Sequence, residues 1–245
     1  MIRNTRIKRL NTNKRNISVL KLILIWWSIT GLEILAENTR MIVTVSNEII
    51  EKGVSVSYEE PGVQFDISYD FNDQFFAGLQ AIKHPTTSAA KRQGWTNLYI
   101  GYFSEITPSI ATQLTFESYT FDADFYLSWD YSEWNLDLYL GDEHSVTYSV
   151  ADSYYGFGDH TSYLAYQWQH ILNEHYMLSV VVGQTFTTHL EYLDDFRNYE
   201  ISLIRQFNDY RLSVGYYHVD KEVAVIQGER AVASRFAITL EYDLF

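Results

Sequence analysis

Residues 63–71 read Val-Gln-Phe-Asp-Ile-Ser-Tyr-Asp-Phe, a stretch in which every second residue is apolar. The same alternation recurs along nearly the whole chain, for example at 124–131 and 236–244. A period of two places the apolar residues on one face of a β-strand. The segments are about ten residues long, which is longer than the five or six residues usual in soluble sheets and suits a tilted strand crossing a bilayer. The pattern predicts an all-β fold, a transmembrane antiparallel up-and-down β-barrel.

The composition agrees with this fold class. Aromatic residues make up 16% of the 245 residues, with 20 Tyr and 6 Trp, as expected of the aromatic girdles at membrane interfaces. The chain contains no Cys, which excludes disulfides and thiolate metal sites, and only three Pro, which leaves long strands uninterrupted. The alternation runs on without a linker, so we expect one barrel domain at 37–245 and no cofactor.

Residues 1–36 have the features of a Sec-type signal peptide. A basic segment precedes an apolar run from Leu22 to Leu32, and Ala36 is suited to the position before the cleavage site. An uncleaved membrane anchor is the alternative, but a run of 11 residues is shorter than the roughly 20 that a helical span needs. The segment predicts export to the outer membrane, with membrane lipids and the barrel-assembly machinery as partners.

The charge balance bears on the kind of partner. Residues 1–36 hold seven Lys and Arg and one Glu, so residues 37–245 retain 11 basic and 30 acidic side chains, a net charge of −19. Phosphate backbones repel such a chain, which argues against nucleic acid binding. An acidic lumen would instead attract cations or cationic solutes.

Turn signals define the predicted topology. Compact turns are predicted at Asn72-Asp73, Ser104–Pro108, Ser132-Glu133, Asn173-Glu174 and Asn208-Asp209. Longer polar loops are predicted at 51–62, 83–94, 141–145, 153–161, 186–197 and 219–231. Tight turns at one end and long loops at the other are typical of outer-membrane barrels, in which the tight turns are periplasmic.

Twelve strands follow from these turns. They are predicted at 41–50, 62–71, 74–83, 95–103, 109–120, 123–131, 134–150, 161–171, 175–185, 197–207, 210–219 and 232–245. The segment 134–150 reads either as one long strand with a bulge near Gly141 or as two short strands, so counts of 10 or 14 stay open.

The polar face of the strands should line the lumen. The predicted pore-lining residues are Asp66, Asp70, Glu117, Asp124, Asp130, Asp137, Glu200 and Arg211. Acidic residues outnumber Arg on this face, and a ring of charges can set ion selectivity. The alternative is a small barrel whose lumen is filled with paired charges and conducts nothing.

Three segments carry a family resemblance. The first comprises Val43–Glu48, Lys52–Ser55 and Pro61–Gln64; the others are Tyr148–Gly156 and Tyr119–Asp124. They resemble motifs of the TorF-type porins, a family of conserved proteobacterial envelope proteins. In the first segment Asn47-Glu48 stands for Ser-Asp, Ile49 for an aromatic residue and Lys52 for Arg. The resemblance implies an outer-membrane barrel and a pore, and it supplies no catalytic residues.

One constellation could be enzymatic. Asp159-His160-Thr161-Ser162 places a His and a Ser at a loop-to-strand junction, as outer-membrane phospholipases do, with the Ser as nucleophile and the His as base. Tyr163 follows where an Asn is usual, and a polar loop entering a strand explains the residues equally well. The seven His do not cluster at metal-ligand spacing, so no metal site is expected.

The sequence thus favours a non-enzymatic channel for passive diffusion of small solutes or ions, with a preference for cations. The alternatives are a non-conducting barrel that serves as an adhesion or scaffold surface, an outer-membrane lipid hydrolase, and a soluble β-sandwich or lipid-binding barrel. The last is disfavoured because water would not tolerate so many aromatic residues on one face.

Overall fold

The structure, a computed structural model, describes residues 38–57, 59–85, 94–122, 130–152, 160–187, 195–220 and 234–244. These residues form fourteen strands: β1 (Thr39–Ser46), β2 (Ile50–Glu51), β3 (Val54–Ser55), β4 (Gly62–Asp70), β5 (Phe75–Lys83), β6 (Gly94–Thr107), β7 (Ile110–Phe121), β8 (Tyr131–Leu140), β9 (His144–Ala151), β10 (Thr161–Ile171), β11 (Tyr176–Thr187), β12 (Phe196–Gln206), β13 (Tyr210–Val219) and β14 (Ser234–Asp243). Within the described residues, no helix is long and apolar enough to cross a membrane.

Twelve of the strands close into an antiparallel barrel, which confirms the predicted fold class. Each barrel strand pairs with its neighbours in the sequence, and β1 closes the ring by pairing with both β14 and β4. The remaining two strands, β2 and β3, pair only with each other in the connection between β1 and β4. An even strand number places both ends of the barrel chain on the same rim.

The alternation seen in the sequence separates an apolar outer face from a polar inner face. On β8, Trp134 and Leu136 are exposed outward, whereas Glu133 and Asn135 point into the barrel. The same exposure of large apolar side chains continues around the barrel at Leu98, Ile100, Leu114, Leu164, Ile201, Val214, Phe236 and Ile238. A continuous apolar outer surface is what a barrel presents to lipid.

The region between 130 and 151 differs from the prediction. The turn predicted at Ser132-Glu133 is wrong, because residues 131–140 form the continuous strand β8, which pairs directly with β7. Residues 123–129 of the strand predicted at 123–131 lie outside the described residues. The segment 134–150 contains most of β8 and all but the last residue of β9, which are joined by a turn at Gly141, where φ is +66°. Ser132 and Glu133 are adjacent polar residues on opposite faces of one strand. Two adjacent polar residues are also the sequence pattern of a turn, which explains the wrong prediction. With β8 and β9 in place of the single strand predicted at 134–150, the described strands of the barrel number twelve.

The two rims have different connections. At one rim the strands are joined by short turns, and Asn72 and Asn173 stabilise two of them by accepting backbone N–H groups at 2.9–3.1 Å. The short connection at 141–143 also lies on this rim, whereas the turn pattern predicts it among the long loops. The turn predicted at Ser104–Pro108 is shorter than expected, since β6 continues to Thr107 and β7 begins at Ile110. The long connections lie at the opposite rim.

Candidate functional site

A short hairpin from the long-loop rim folds across the barrel lumen. Lys52 and Gly53 join β2 to β3 with φ values of +48° and +81°, the left-handed geometry of a two-residue hairpin turn. The hairpin leaves the wall between β1 and β4. Its tip reaches the far side of the ring, where Lys52 Nζ lies 2.5 Å from Glu133 Oε2 on β8 and 5.4 Å from the centre of the Tyr163 ring on β10. We call Ile50–Ser55 the lumenal hairpin.

Buried polar contacts hold the base of the lumenal hairpin. The hydroxyl of the fully buried Ser57 accepts the Ile49 backbone N–H at 2.9 Å and donates to the Glu60 carbonyl at 2.7 Å. Glu48 forms an ion pair with Arg235 on β14, and both side chains are almost fully buried. Breaking a buried ion pair leaves an uncompensated charge and is strongly destabilising, so the pair anchors this segment to the wall.

Apolar packing adds to this anchoring. Ile49 and Val56, which flank the lumenal hairpin, pack against an inward-facing cluster that includes Ile82, Trp95, Tyr119 and Tyr131. The Tyr119 and Tyr131 rings are stacked, with centres 4.5 Å apart and planes within 9° of parallel. Aromatic pairs of this kind contribute about 0.5–1.5 kcal/mol beyond the area they bury.

Beside the hairpin lies an acidic chamber of about 470 Å³, bounded by the inner faces of β4 to β10. Its lining includes five carboxylates, at Glu51, Asp66, Glu117, Glu133 and Asp137. Among the described residues of the lining, Lys52 is the single base. A smaller cavity of about 130 Å³ lies against β1, β13 and β14 on the other side of the lumen. The hairpin therefore narrows the passage and borders a strongly acidic space.

Glu117 and Glu133 form the centre of the acidic chamber. They are direct partners on the neighbouring strands β7 and β8, an arrangement that is destabilising for two like charges unless a cation or donors compensate. Glu133 receives the Lys52 ammonium. Glu117 accepts from Asn97 Nδ2 at 2.7 Å, from the Tyr119 hydroxyl at 2.5 Å and from Asn135 Nδ2 at 3.1 Å.

The other two wall carboxylates are held by hydroxyl groups. The Tyr99 hydroxyl donates to both oxygens of Asp66, at 3.1 and 3.3 Å. Gly78 makes room for this ring, because a Cβ at that position would lie 2.3 Å from Tyr99 Cζ. The Thr147 hydroxyl donates to Asp137 Oδ1 at 2.5 Å. Neutral donors thus fix the orientation of both side chains without cancelling their charge.

Glu51 on the lumenal hairpin is the group whose ionisation is most affected by this setting. Burial raises the pKa of Glu51 from 4.5 to about 7, the nearby Lys52 ammonium opposes the rise, and the Glu117 and Glu133 carboxylates add to it. The carboxyl therefore exchanges its proton near neutral pH, in the middle of the lumen.

Three of the predicted pore-lining residues, Asp66, Glu117 and Asp137, lie together in the acidic chamber. Glu200 points inward on β12 and accepts from the Ser202 hydroxyl at 2.8 Å, away from the chamber. Arg211 lies near the short-turn rim, where its Nη1 is 3.3 Å from Glu241 Oε1. Asp70, also at this rim, is exposed at the end of β4.

The remaining two predicted residues are not on a strand of the described structure. Asp130 precedes β8 and is exposed, with its Oδ1 accepting the Phe121 backbone N–H at 3.0 Å. It therefore stabilises the end of β7 instead of continuing a wall strand. Asp124 lies outside the described residues.

Sequence reasoning missed Glu51, Lys52 and Glu133. The first two lie in the predicted loop at 51–62, and the third lies in the predicted turn at Ser132-Glu133. The signals were present: Lys52-Gly53 between Ile50-Glu51 and Val54-Ser55 fits a two-residue hairpin. That hairpin is too short to show a period, so its direction into the lumen could not be read from the pattern.

The structure describes only part of the segment Asp159–Ser162, on which the enzymatic alternative depends. Ser162 lies on the second position of β10 beside the exposed His160, whereas Asp159 is outside the described residues. Two of the other His lie beside acidic residues: His170 Nδ1 is 3.0 Å from Glu143 Oε1, and His175 Nε2 is 3.6 Å from Glu174 Oε1.

Solved structures with a similar fold include two porins. The chain superimposes on the KdgM porin with a TM-score of 0.53 at 10% identity, covering 84% of this chain and 99% of that one. It superimposes on the NanC porin with a TM-score of 0.59 at 8% identity, covering 83% of this chain and 100% of that one. The fold is that of outer-membrane porins.

A third solved structure is the KdgM porin in complex with disordered oligogalacturonate, with a TM-score of 0.54 at 9% identity and coverage of 84% and 99%. No protein-family model matches the sequence. The curated proteins also contain no significant match to it. At these identities the likeness concerns the fold alone.

Proposed function

We propose that the chain is an outer-membrane channel for passive diffusion of small solutes, with a preference for cations. The observation that carries the proposal is the acidic chamber, in which five carboxylates face one lysine within the barrel. A low-dielectric wall focuses the field of such charges, so cations are concentrated in the lumen and anions are depleted. Barrel-assembly machinery and outer-membrane lipids are the partners that this proposal implies, with residues 1–36 acting as the export signal.

The chamber argues for a different solute class from that of one structural neighbour. The KdgM porin has been solved with oligogalacturonate, a sugar chain with one carboxylate on each unit. The carboxylates at Asp66, Glu117 and Asp137 would repel such a polyanion. Small cations and neutral solutes fit the charge of this lumen.

We further propose membership of the TorF-type porin family. The resemblance in Lys52–Ser55 falls on the lumenal hairpin, so the motif residues coincide with the segment that narrows the lumen. Family membership would imply a pore and no catalytic residues.

A barrel that conducts little and serves as a scaffold is the second candidate. It is favoured by the lumenal hairpin itself, which crosses the lumen and is held by the Lys52–Glu133 and Glu48–Arg235 pairs. A hairpin fixed in this position would leave only narrow passages beside it.

Planar-bilayer recording of the refolded protein tests the proposal. Under a KCl gradient at low salt we expect a cation-selective reversal potential, and the selectivity should fade near 1 M salt, where screening acts over about 3 Å. The double variant Asp66→Asn/Asp137→Asn should reduce the selectivity, whereas Asp209→Asn, an exposed residue of the short-turn rim, should not. Anion selectivity would contradict the proposal, and absence of conductance would favour the scaffold.

A further inference from the structure

The Lys52 side chain already places an alkylammonium group in the acidic chamber. Its Nζ lies 2.5 Å from Glu133 Oε2 and 5.4 Å from the centre of the Tyr163 ring. Glu133 is 3% exposed and has Glu117 as its direct partner on the next strand. The chamber therefore contains a position in which a primary ammonium meets a buried carboxylate and an aromatic ring, a combination that favours cations.

Two buried polar atoms of the same chamber point to a ligand that donates hydrogen bonds. Ser149, 1% exposed, and Asn97, 4% exposed, both belong to the lining. Within the described part of the chain, Ser149 Oγ and Asn97 Oδ1 have no hydrogen-bond partner. Buried polar atoms are normally satisfied. Asn97 Oδ1 can only accept and the Ser149 hydroxyl can accept as well as donate, so these atoms favour a ligand with N–H groups over an apolar one.

The spacing of the acidic residues favours an organic cation over a metal ion. No group of three His, Cys, Asp or Glu side chains in the described ranges is close enough to hold a metal ion. A metal ion needs several oxygens within its first coordination sphere. An ammonium group donates in three directions, and a diamine carries two such groups, so it can reach acceptors that lie apart.

Resting on the proposed function, we propose that the acidic chamber is a binding site for small linear organic cations with primary ammonium groups, and that the Lys52 ammonium occupies one of its positions. A solute ammonium competes with Lys52 for Glu133. A second ammonium on the same solute is attracted by Asp66 or Asp137, which neutral hydroxyl groups hold in place. Displacing Lys52 also frees the tip of the lumenal hairpin from β8.

Calorimetric titration of the refolded full-length protein in detergent at low salt tests the site. We expect saturable binding of 1,4-diaminobutane and none of the neutral 1,4-butanediol. Lys52→Ala removes the three methylenes beyond Cβ together with the ammonium group, so this variant should bind n-propylammonium at least about tenfold more tightly than the unmodified chain does. Glu133→Gln should weaken diaminobutane binding by at least about tenfold.

The matched control is Glu174→Gln, since Glu174 is an exposed acid on the short-turn rim whose loss should leave binding unchanged. Folding of each variant is checked by its heat-modifiable electrophoretic mobility, and Glu133→Gln decides the question if Lys52→Ala does not fold. Equal binding of diamine and diol, or diamine binding that a folded Glu133→Gln variant leaves unchanged, overturns the inference.

Conductance recorded in parallel separates this inference from the proposed function. A chain that conducts cations but does not bind the diamine keeps the channel and overturns the binding site. A chain that binds the diamine without conducting supports the binding site and refutes the channel.

Discussion

At the scale of single residues, Glu51 is the group that should make the lumen sensitive to pH. The folded protein holds the proton of Glu51 more tightly than the unfolded chain does, because its pKa is about 7 instead of 4.5. Ionisation therefore opposes the docked hairpin. The stability contribution is greatest below pH 4.5 and is lost as the pH rises to about 7, by at most about 3 kcal/mol.

The prediction is that Glu51→Gln flattens the pH dependence of unfolding between pH 4.5 and 7. Denaturant unfolding of the refolded barrel at several pH values measures this, with Glu174→Gln as a control for an exposed acid. Lys52, Glu117 and Glu133 are the charged groups that act on Glu51, and all three remain in the variant. A pH profile identical to that of the unmodified chain would mean that Glu51 is not buried beside them.

Two neighbouring residues of β8 test which face contacts lipid. Leu136 is exposed outward near the middle of the strand, so Leu136→Arg should impair insertion by about 2–4 kcal/mol. Asn135→Arg should be tolerated, because residue 135 points into the lumen and the new side chain can donate to Glu117 as Asn135 does. Folding yield in lipid vesicles measures both, and equal yields would show that the faces are assigned wrongly.

At the scale of elements, the tip of the lumenal hairpin lies so close to the far wall of the barrel that it leaves no room for a side chain at position 53. A Cβ added to Gly53 would lie 2.3 Å from Asn198 Cβ, and the φ of +81° also disfavours a side chain. Gly53→Ala should therefore displace the hairpin and raise single-channel conductance.

Gly141→Ala provides the matched control for this prediction. Gly141 has a φ of +66° in a turn at the other rim, but nothing lies within 4 Å of an added Cβ. It should cost about 1 kcal/mol of stability or less and leave conductance unchanged. If both variants conduct like the unmodified chain, the hairpin does not limit the passage.

The elements that could be predicted from the sequence are those with a strong period. The alternation at 63–71 and 236–244 predicts the barrel strands β4 and β14 and the direction of their side chains, because one face of each strand contacts lipid and the other faces the lumen. The turn predicted at Ser132-Glu133 is wrong because two adjacent polar residues, one facing inward and one outward on β8, match the sequence pattern of a turn. The lumenal hairpin could not be placed, since its position depends on contacts with Glu133, Tyr163 and Asn198, which are 81 to 145 residues away along the chain.

At the scale of the whole molecule, the two rims differ in ways that predict orientation in the membrane. Short turns are periplasmic in outer-membrane barrels and long loops face outward. Asp122 marks the long-loop rim and Asp209 the short-turn rim, and both are exposed. The chain contains no Cys, so one introduced Cys gives an unambiguous label.

We expect a membrane-impermeant thiol reagent to label Asp122→Cys on whole cells and to label Asp209→Cys only after the outer membrane is permeabilised. The loss of Asp122 should be tolerated, because its pair with Lys83 is exposed and such pairs contribute little. Since the lumenal hairpin enters the barrel from the long-loop rim, a solute from outside would meet the hairpin on entering the lumen. Labelling of Asp209→Cys alone on intact cells would reverse the orientation, and solutes would then reach the hairpin from the periplasmic side.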